Sequence, residues 1–461
     1  MRKGEIDFIT LGCSKNLVDA ERVMRQLETA GWRCVHDPED PKGEICVINT
    51  CGFIGDAKEE SVNMILQMGE RKKTGKLRKL IVMGCLSERY RAELEKELPE
   101  VDAYYGKFDF LQLADELGEP TPTPFLKGGE AGCHPAQQKK PEGGCASYER
   151  KLTTPKHYAY LKISEGCNRF CSYCAIPLIT GRHTSRPKEE ILEEVRWLVS
   201  QGVKELNVIA QDLSSYGLDL EAKGRHLLPE LIDEIAQVPG VEWIRLHYAY
   251  PTDFPEELLD VIAKHANVCK YLDIALQHCT DHMLGLMRRH ITRAEQDALI
   301  RKIREKVPGI CIRTTLLVGH PGETEEDFEE LKEWTKEMRF ERMGCFAYSD
   351  EEGTYANRHY QDDVPQEVKE ARAAELMAIQ QEISGELMQR FVGRTERVII
   401  DRKEGDYYIG RTQYDSPEVD CEVLIKAEGE GLEAKVGEFY EVKIIKAEEF
   451  DLYGQWTIDN R

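Results

Sequence analysis

Tyr158-Ala-Tyr-Leu-Lys-Ile-Ser-Glu-Gly-Cys167-Asn-Arg-Phe-Cys171-Ser-Tyr-Cys174 is the stretch that decides the fold. Tyr158–Ser164 reads as a short apolar strand bounded by polar residues, and three cysteines follow it at once. Downstream the same unit recurs, with strand-like runs at Glu205–Ala210, Trp243–Tyr250, Leu272–Gln277, Ile310–Val318 and Met343–Tyr348. Helix-period segments alternate with them, among them Lys188–Ser200, Pro255–His265, Arg293–Lys306 and Glu325–Met338. Six β/α units predict a partial TIM-like (β/α)6 barrel over 153–386, short of a full eight. Parallel barrels carry their chemistry at the carboxyl ends of the strands, where Cys167, Cys171 and Cys174 lie.

Upstream, residues 1–120 alternate the strand-like runs Ile6–Leu11, Ile45–Asn49, Leu80–Met83 and Val101–Tyr105 with the helical runs Asn16–Ala30, Asp56–Lys72 and Ser87–Leu98. That pattern predicts an open, parallel α/β domain. Residues 121–152 (Thr121-Pro-Thr-Pro, Lys127-Gly-Gly-Glu, Glu142-Gly-Gly) have no period and read as a linker or insertion. After a long amphipathic helix at Gln366–Arg390, residues 387–461 change class. Short runs at Thr395–Asp401, Tyr407–Thr412, Val419–Ile425 and Phe439–Lys446, separated by Gly- and Asp-rich turns, predict a small antiparallel β-barrel.

The chain of 461 residues has a net charge of −22, which argues against a surface built to grip phosphate backbones. With no apolar run near the ~18 residues of a membrane span, and a charged N-terminus leading straight into a strand, the sequence predicts a cytoplasmic protein that meets no membrane. Fifteen cysteines, an odd number, in a long chain of this kind point to metal or redox chemistry and away from disulfides.

Thiolates favour iron–sulfur clusters or zinc. A structural zinc needs four ligands, and near Cys167, Cys171 and Cys174 the one further candidate is His183. Three cysteines on a four-iron cluster leave one iron open to chelate the amino and carboxylate groups of S-adenosylmethionine (SAM). An electron from the cluster then cleaves the sulfonium to a 5′-deoxyadenosyl radical. The C-x3-C-x2-C spacing, with an aromatic residue before the last cysteine, is the signature of that chemistry. A second set, Cys13, Cys51 and Cys85, is scattered along the chain, but each cysteine follows a predicted parallel strand and has a glycine beside it. Ligands bind beyond such strand ends, so three thiols delivered there would hold a second cluster; as an alternative, they are small buried hydrophobes. Cys46, Cys269, Cys311 and Cys345 read as core, Cys34, Cys279 and Cys421 have no partner pattern, and Cys133 and Cys145 fall in the linker.

Leu11-Gly-Cys-Ser-Lys-Asn16, Asn49-Thr-Cys-Gly-Phe53, Gly84-Cys85, Ile209-Ala-Gln-Asp212, Leu276-Gln-His278, Met287-Arg-Arg289 and Val318-Gly-His-Pro-Gly-Glu-Thr324 together make the chain resemble the radical-SAM methylthiotransferases over nearly its whole length. The resemblance implies an N-terminal methylthiotransferase cluster domain, a radical-SAM barrel and a TRAM domain. It implies two 4Fe-4S clusters, one on Cys13, Cys51 and Cys85 that carries the sulfur and one on Cys167, Cys171 and Cys174 that binds SAM, and an external electron donor. Tyr173 resembles the position that contacts the SAM adenine, against a plain packing role. Cys174-Ala-Ile-Pro-Leu-Ile-Thr-Gly-Arg-His-Thr-Ser-Arg-Pro187 and Arg245-Leu-His-Tyr-Ala-Tyr-Pro251 look like the ribosomal-protein branch, which modifies the β-carbon of an aspartate in protein S twelve of the small ribosomal subunit. His320 stands where an aromatic residue is common in the family.

Charge offers a physical test of the substrate class. From Gly393 to Arg461 there are ten Lys and Arg against seventeen Asp and Glu, a net −7. A transfer-RNA reader needs a basic stripe, whereas an acidic surface suits a basic protein partner. The competing readings are a transfer-RNA methylthiotransferase acting on a modified adenosine beside the anticodon, and an iron–sulfur electron carrier with no radical chemistry.

Overall fold

A computed structural model describes residues 4–117, 148–220, 224–427 and 433–457. These fall into two compact units, Met1–Thr153 with Leu178–Gly181, and Thr154–Pro177 with Arg182–Arg461. Most of the predicted linker, with Cys133 and Cys145, lies outside the described residues.

The first unit runs β1 (Glu5–Thr10), α1 (Ser14–Thr29), β2 (Arg33–His36), β3 (Ile45–Thr50), α2 (Gly55–Lys73), β4 (Lys79–Gly84), α3 (Cys85–Glu97), β5 (Ala103–Tyr105) and α4 (Phe110–Leu117). Its strands pair in parallel in the order β2-β1-β3-β4-β5. Ile45–Thr50 is buried along its whole length, as a strand covered by helices on both faces must be. One core layer packs Ile6, Phe8, Val47, Ile81 and Met83 against α1 and α4, and the other packs Ile9, Ile48, Leu80 and Val82 against α2 and α3. The chain reverses its direction of winding between β1 and β3, which makes the gap beyond their carboxyl ends the switch point where such sheets bind ligands.

The second unit opens with β6 (Tyr158–Lys162), β7 (Ser164–Glu165), the start of α5 (Ile176–Thr180), whose residues from Leu178 on fall in the first unit, and β8 (Thr184–Ser185). Then come α6 (Lys188–Ser200), β9 (Glu205–Ile209), α7 (Leu228–Ala236), β10 (Trp243–Ala249), α8 (Glu257–Lys264), β11 (Val268–Ile274), α9 (Asp281–Leu286), α10 (Arg293–Lys306), β12 (Cys311–Val318), α11 (Glu325–Met338), β13 (Arg342–Ala347), α12 (Tyr355–His359) and α13 (Gln366–Met388). The six long strands pair in parallel in chain order, β6-β9-β10-β11-β12-β13, and the two end strands do not meet, so the barrel is an open arc. α10 and α11 each begin with a capping box, Thr292 with Glu295 and Thr324 with Asp327, which fixes where these helices start.

The unit ends in a closed five-stranded barrel of β14 (Thr395–Glu404), β15 (Tyr407–Arg411), β16 (Glu422–Lys426), β17 (Phe439–Ala447) and β18 (Asp451–Trp456). Four of its ladders are antiparallel, and β16 and β18 close it with one parallel ladder. It docks on the amino ends of the large barrel's strands. Trp243 meets Phe439 edge to face at 4.8 Å, and the Tyr271 hydroxyl donates to Asp420 at 2.8 Å. Glu205 is fully buried between Arg245 (3.0 Å) and Arg411 (2.8 Å), and Arg411 also bonds Asp401. Burial would push the Glu205 carboxyl up, but the two guanidinium groups outweigh it and hold it below the usual range. Cys269 and Cys311 belong to the same apolar contact, and Cys421 to the core of the small barrel.

Candidate active site

The three thiols of the first unit each stand directly after a parallel strand: Cys13 after β1, Cys51 after β3, Cys85 after β4. Their loops come together because glycine lets them. A Cβ on Gly12 (φ +98°) would sit 2.9 Å from Cys51 Cβ, and one on Gly52 would sit 2.7 Å from the Cys85 carbonyl. Gly84 (φ +102°) leaves room for the backbone of Thr50, 2.7 Å from where its Cβ would be. Asn16 ties the three loops. Its amide donates to the carbonyls of Leu11 (3.4 Å) and Thr50 (3.1 Å), and its Oδ1 accepts from the Cys85 thiol at 3.4 Å. Ser61 holds the Cys51 amide at 3.1 Å, and Thr50 Oγ1 donates to the Met83 carbonyl at 2.7 Å.

Cys51 and Cys85 are buried and Cys13 is exposed. Desolvation and the neighbouring Cys13 raise the Cys51 thiol. At Cys13, desolvation acts in the same direction, but the ammonium groups of Lys15 and Lys107 and the amides of Asn16 and Lys15 overcome it and lower the thiol below its ordinary value. That shift favours the thiolate of Cys13, the form that binds iron.

In the second unit, Cys167, Cys171 and Cys174 lie on the loop that leaves β6 and β7 at the carboxyl end of the open barrel. The loop is pinned from several elements. The Ser172 amide donates to the Met287 carbonyl at 3.0 Å, its own carbonyl accepts from Ala356 at 2.7 Å, and its hydroxyl meets His320 Nε2 at 2.9 Å. His320 Nδ1 lies 2.9 Å from the Pro321 carbonyl, which can only accept, so Nδ1 carries the proton and Ser172 donates to Nε2. Burial drives the His320 imidazole down to about 4, so it is neutral. Burial pushes the Cys167 thiol up to about 12, and burial with the neighbouring Cys171 raises Cys174 further. A metal cation reverses that preference by binding the thiolates.

Arg289 is fully buried beside this loop. Its guanidinium donates to Cys171 Sγ at 3.3 Å, to the Tyr173 hydroxyl at 3.4 Å and to the Ala275 carbonyl, and lies 4.0 Å from the centre of the Tyr250 ring. Its neighbours Arg288 (φ +56°) and His290 (φ +53°) both take the left-handed conformation, which for residues with a Cβ costs about 1–2 kcal/mol each. Arg169, from within the cysteine loop, pairs with Asp212 (2.7 Å) and covers the other part of Tyr250 at 4.3 Å. Among the described residues Asp212 Oδ1 and Gln211 Oε1 are buried acceptors with no partner, as a donor-bearing ligand at the barrel mouth would require. Tyr173 packs on an apolar group that contains Met283, Met287 and Tyr348.

All six expected ligands are free thiols, brought together three and three. His183, the candidate fourth zinc ligand, spends Nε2 on the Ser185 hydroxyl at 3.0 Å. Among the described residues no three Cys, His, Asp or Glu converge on a point that one metal ion would fill. An iron–sulfur cube, which takes each thiolate on a different iron, does not ask for that convergence. Asn16, Arg289, Tyr250 and His320 escape a reading by spacing, because each reaches its cysteines from a distant part of the chain.

Residues 161–335 match the radical SAM superfamily, residues 5–106 the uncharacterized protein family UPF0004, and residues 392–457 the TRAM domain. The chain is similar end to end to ribosomal protein uS12 methylthiotransferase RimO of Phocaeicola vulgatus, 62% identical over 453 residues that cover 98% of this chain and 99% of that protein. With the protein of the same name from Bacteroides fragilis it shares 61% over 455 residues, 99% of this chain and 100% of that one. Among solved structures it is similar to the radical S-adenosylmethionine methyltransferase TsrM from Kitasatospora setae, with a TM-score of 0.52 at 16% identity over 75% of this chain and 73% of that one. At that identity the likeness is one of fold.

Proposed function

The chain belongs to the family of ribosomal protein uS12 methylthiotransferases RimO, and from that premise we propose that it replaces a hydrogen on the β-carbon of an aspartate of uS12 with a methylthio group. The observation that carries the proposal is the full-length match, which spans both cysteine-bearing units and the terminal barrel together. Membership of the radical SAM superfamily implies a 4Fe-4S cluster and SAM. Cys167, Cys171 and Cys174 would hold that cluster, and Cys13, Cys51 and Cys85 a second one that carries the sulfur; two clusters and an external electron donor complete the reading. When bound, these groups supply the radical and the methylthio sulfur.

The chain's own residues prepare the site. Asn16 and Ser61 hold the first three thiols' loops in register. Lys15 and Lys107 favour the thiolate of Cys13. Ser172, clamped by His320 and Met287, fixes the second loop. Tyr173 would pack beside the adenine of SAM at the loop's edge, and Asp212 and Gln211 would accept hydrogen bonds from it. The acidic terminal barrel favours a basic protein over transfer RNA as partner, and the reading places the enzyme in the cytoplasm.

Mass spectrometry tests the proposal on reconstituted, reduced protein given SAM with either uS12 or transfer RNA. One methylthio group gained on an aspartate of uS12 is expected. Gain on an adenosine alone would move the substrate to the transfer-RNA branch, and release of deoxyadenosine with no transfer would refute the sulfur chemistry.

A further inference from the structure

We infer that Arg289 is the built-in counter-cation of the cluster on Cys167, Cys171 and Cys174, a positioning residue whose fixed charge eases that cluster's one-electron reduction; this rests on the ligand assignment proposed above.

A guanidinium stays protonated in any protein. Taking it out of water costs several kcal/mol unless an anion compensates, so buried arginines are paired. The other fully buried arginines obey this: Arg245 and Arg411 share Glu205. Arg289 is equally buried, yet among the described residues it has no carboxylate partner, and its Nε is left without an acceptor. What it has instead is Cys171 Sγ at 3.3 Å, two phenol rings and a carbonyl. The missing anion is therefore one that arrives on Cys171.

The backbone around it supports the same conclusion. Left-handed residues on both sides of Arg289 persist because the surroundings over-determine them. The Arg289 carbonyl is held by the hydroxyls of Thr252 (2.8 Å) and Tyr250 (3.3 Å), while the preceding Met287 carbonyl accepts from Ser172, inside the cysteine loop. Turn, guanidinium and cysteine loop form one rigid constellation. Arg289 thus faces a cluster that becomes one unit more negative when a low-potential donor gives it an electron, with no proton moving. A fixed positive charge at this range, inside the protein, favours the reduced form.

The test uses full-length protein carrying Cys13→Ala, Cys51→Ala and Cys85→Ala, so that one cluster is loaded, with no SAM present. Iron per chain is counted, and the reduced cluster is followed by electron paramagnetic resonance during a potentiometric titration. With Arg289 intact or Arg289→Lys, the cluster is expected to reduce over the same range. In Arg289→Gln, the ratio of reduced to oxidised cluster at the wild-type midpoint should fall about tenfold or more. An unshifted titration in Arg289→Gln with full iron would overturn the inference. So would equal loss of iron from the Lys and Gln variants, which would mark a structural role that charge does not serve. Failure of the Arg289-intact protein to take up a cluster would overturn the ligand assignment as well, and the iron count separates that outcome from the others.

Discussion

A single imidazole shows how tightly the cysteine loop is specified. His320 reads in the sequence as a substitution without consequence, yet its ring is buried against Tyr173, Tyr348 and Tyr360 and accepts the Ser172 hydroxyl between two cysteines. Its native value near 4 lies below the ordinary 6.5 because burial penalises the cation. The unfolded chain therefore binds a proton that the folded chain refuses. The stability this neutral ring protects is complete above about pH 6.5 and is lost as pH falls towards 4, by up to about 3 kcal/mol. His320→Phe should lose stability at pH 7, because the Ser172 hydroxyl is left unpaired, but should show a shallower fall between pH 7 and 5. Urea unfolding at the two pH values decides it, and parallel falls would refute the assignment. That six cysteines fall three and three just beyond strand ends was legible from spacing and periodicity. Asn16 and Arg289 were legible only as members of motifs, since their roles depend on contacts across 69 and 118 residues.

At the level of elements, the long strands and helices of both parallel sheets could be read because apolar periods repeat over several turns. Lys188–Ser200, Arg293–Lys306 and Glu325–Met338 begin and end where the pattern puts them. What escaped was short or polar: β2, only four residues with an exposed Arg33, and α4 and α7, eight and nine residues long. β18 escaped too, with Gly454 inside it, where a Cβ would meet Val442 at 2.3 Å, and its parallel ladder with β16 could not be foreseen from alternation alone. The docking of the small barrel was invisible for another reason: its decisive contact is ionic and buried, joining Glu205 at the start of β9 to Arg411 at the end of β15. Glu205→Gln removes the charge that Arg245 and Arg411 share and should cost about 3–5 kcal/mol. Thermal unfolding that shifts no more than for Glu404→Gln, an exposed carboxylate on the small barrel, would argue against a strong network.

For the whole second unit, the same docking has a consequence of reach. The terminal barrel is fixed to the amino ends of strands whose carboxyl ends carry the cysteine loop. The seven residues of β10, Trp243–Ala249, set the two apart by on the order of 20 Å. A substrate held by the acidic barrel must therefore extend at least that far before its aspartate meets the radical. Grip and reaction then belong to different parts of the substrate, so a short peptide around the modified aspartate engages one of them only. Reversing exposed acidic charges on the small barrel, such as Glu404→Lys with Glu441→Lys, should raise KM for intact uS12 and leave KM for the short peptide unchanged. Equal effects on both would mean that the terminal barrel takes no hold on the substrate. With the substrate gripped there, the β-strands between would act as a measuring rod, and substrate length would become a property that the enzyme can select.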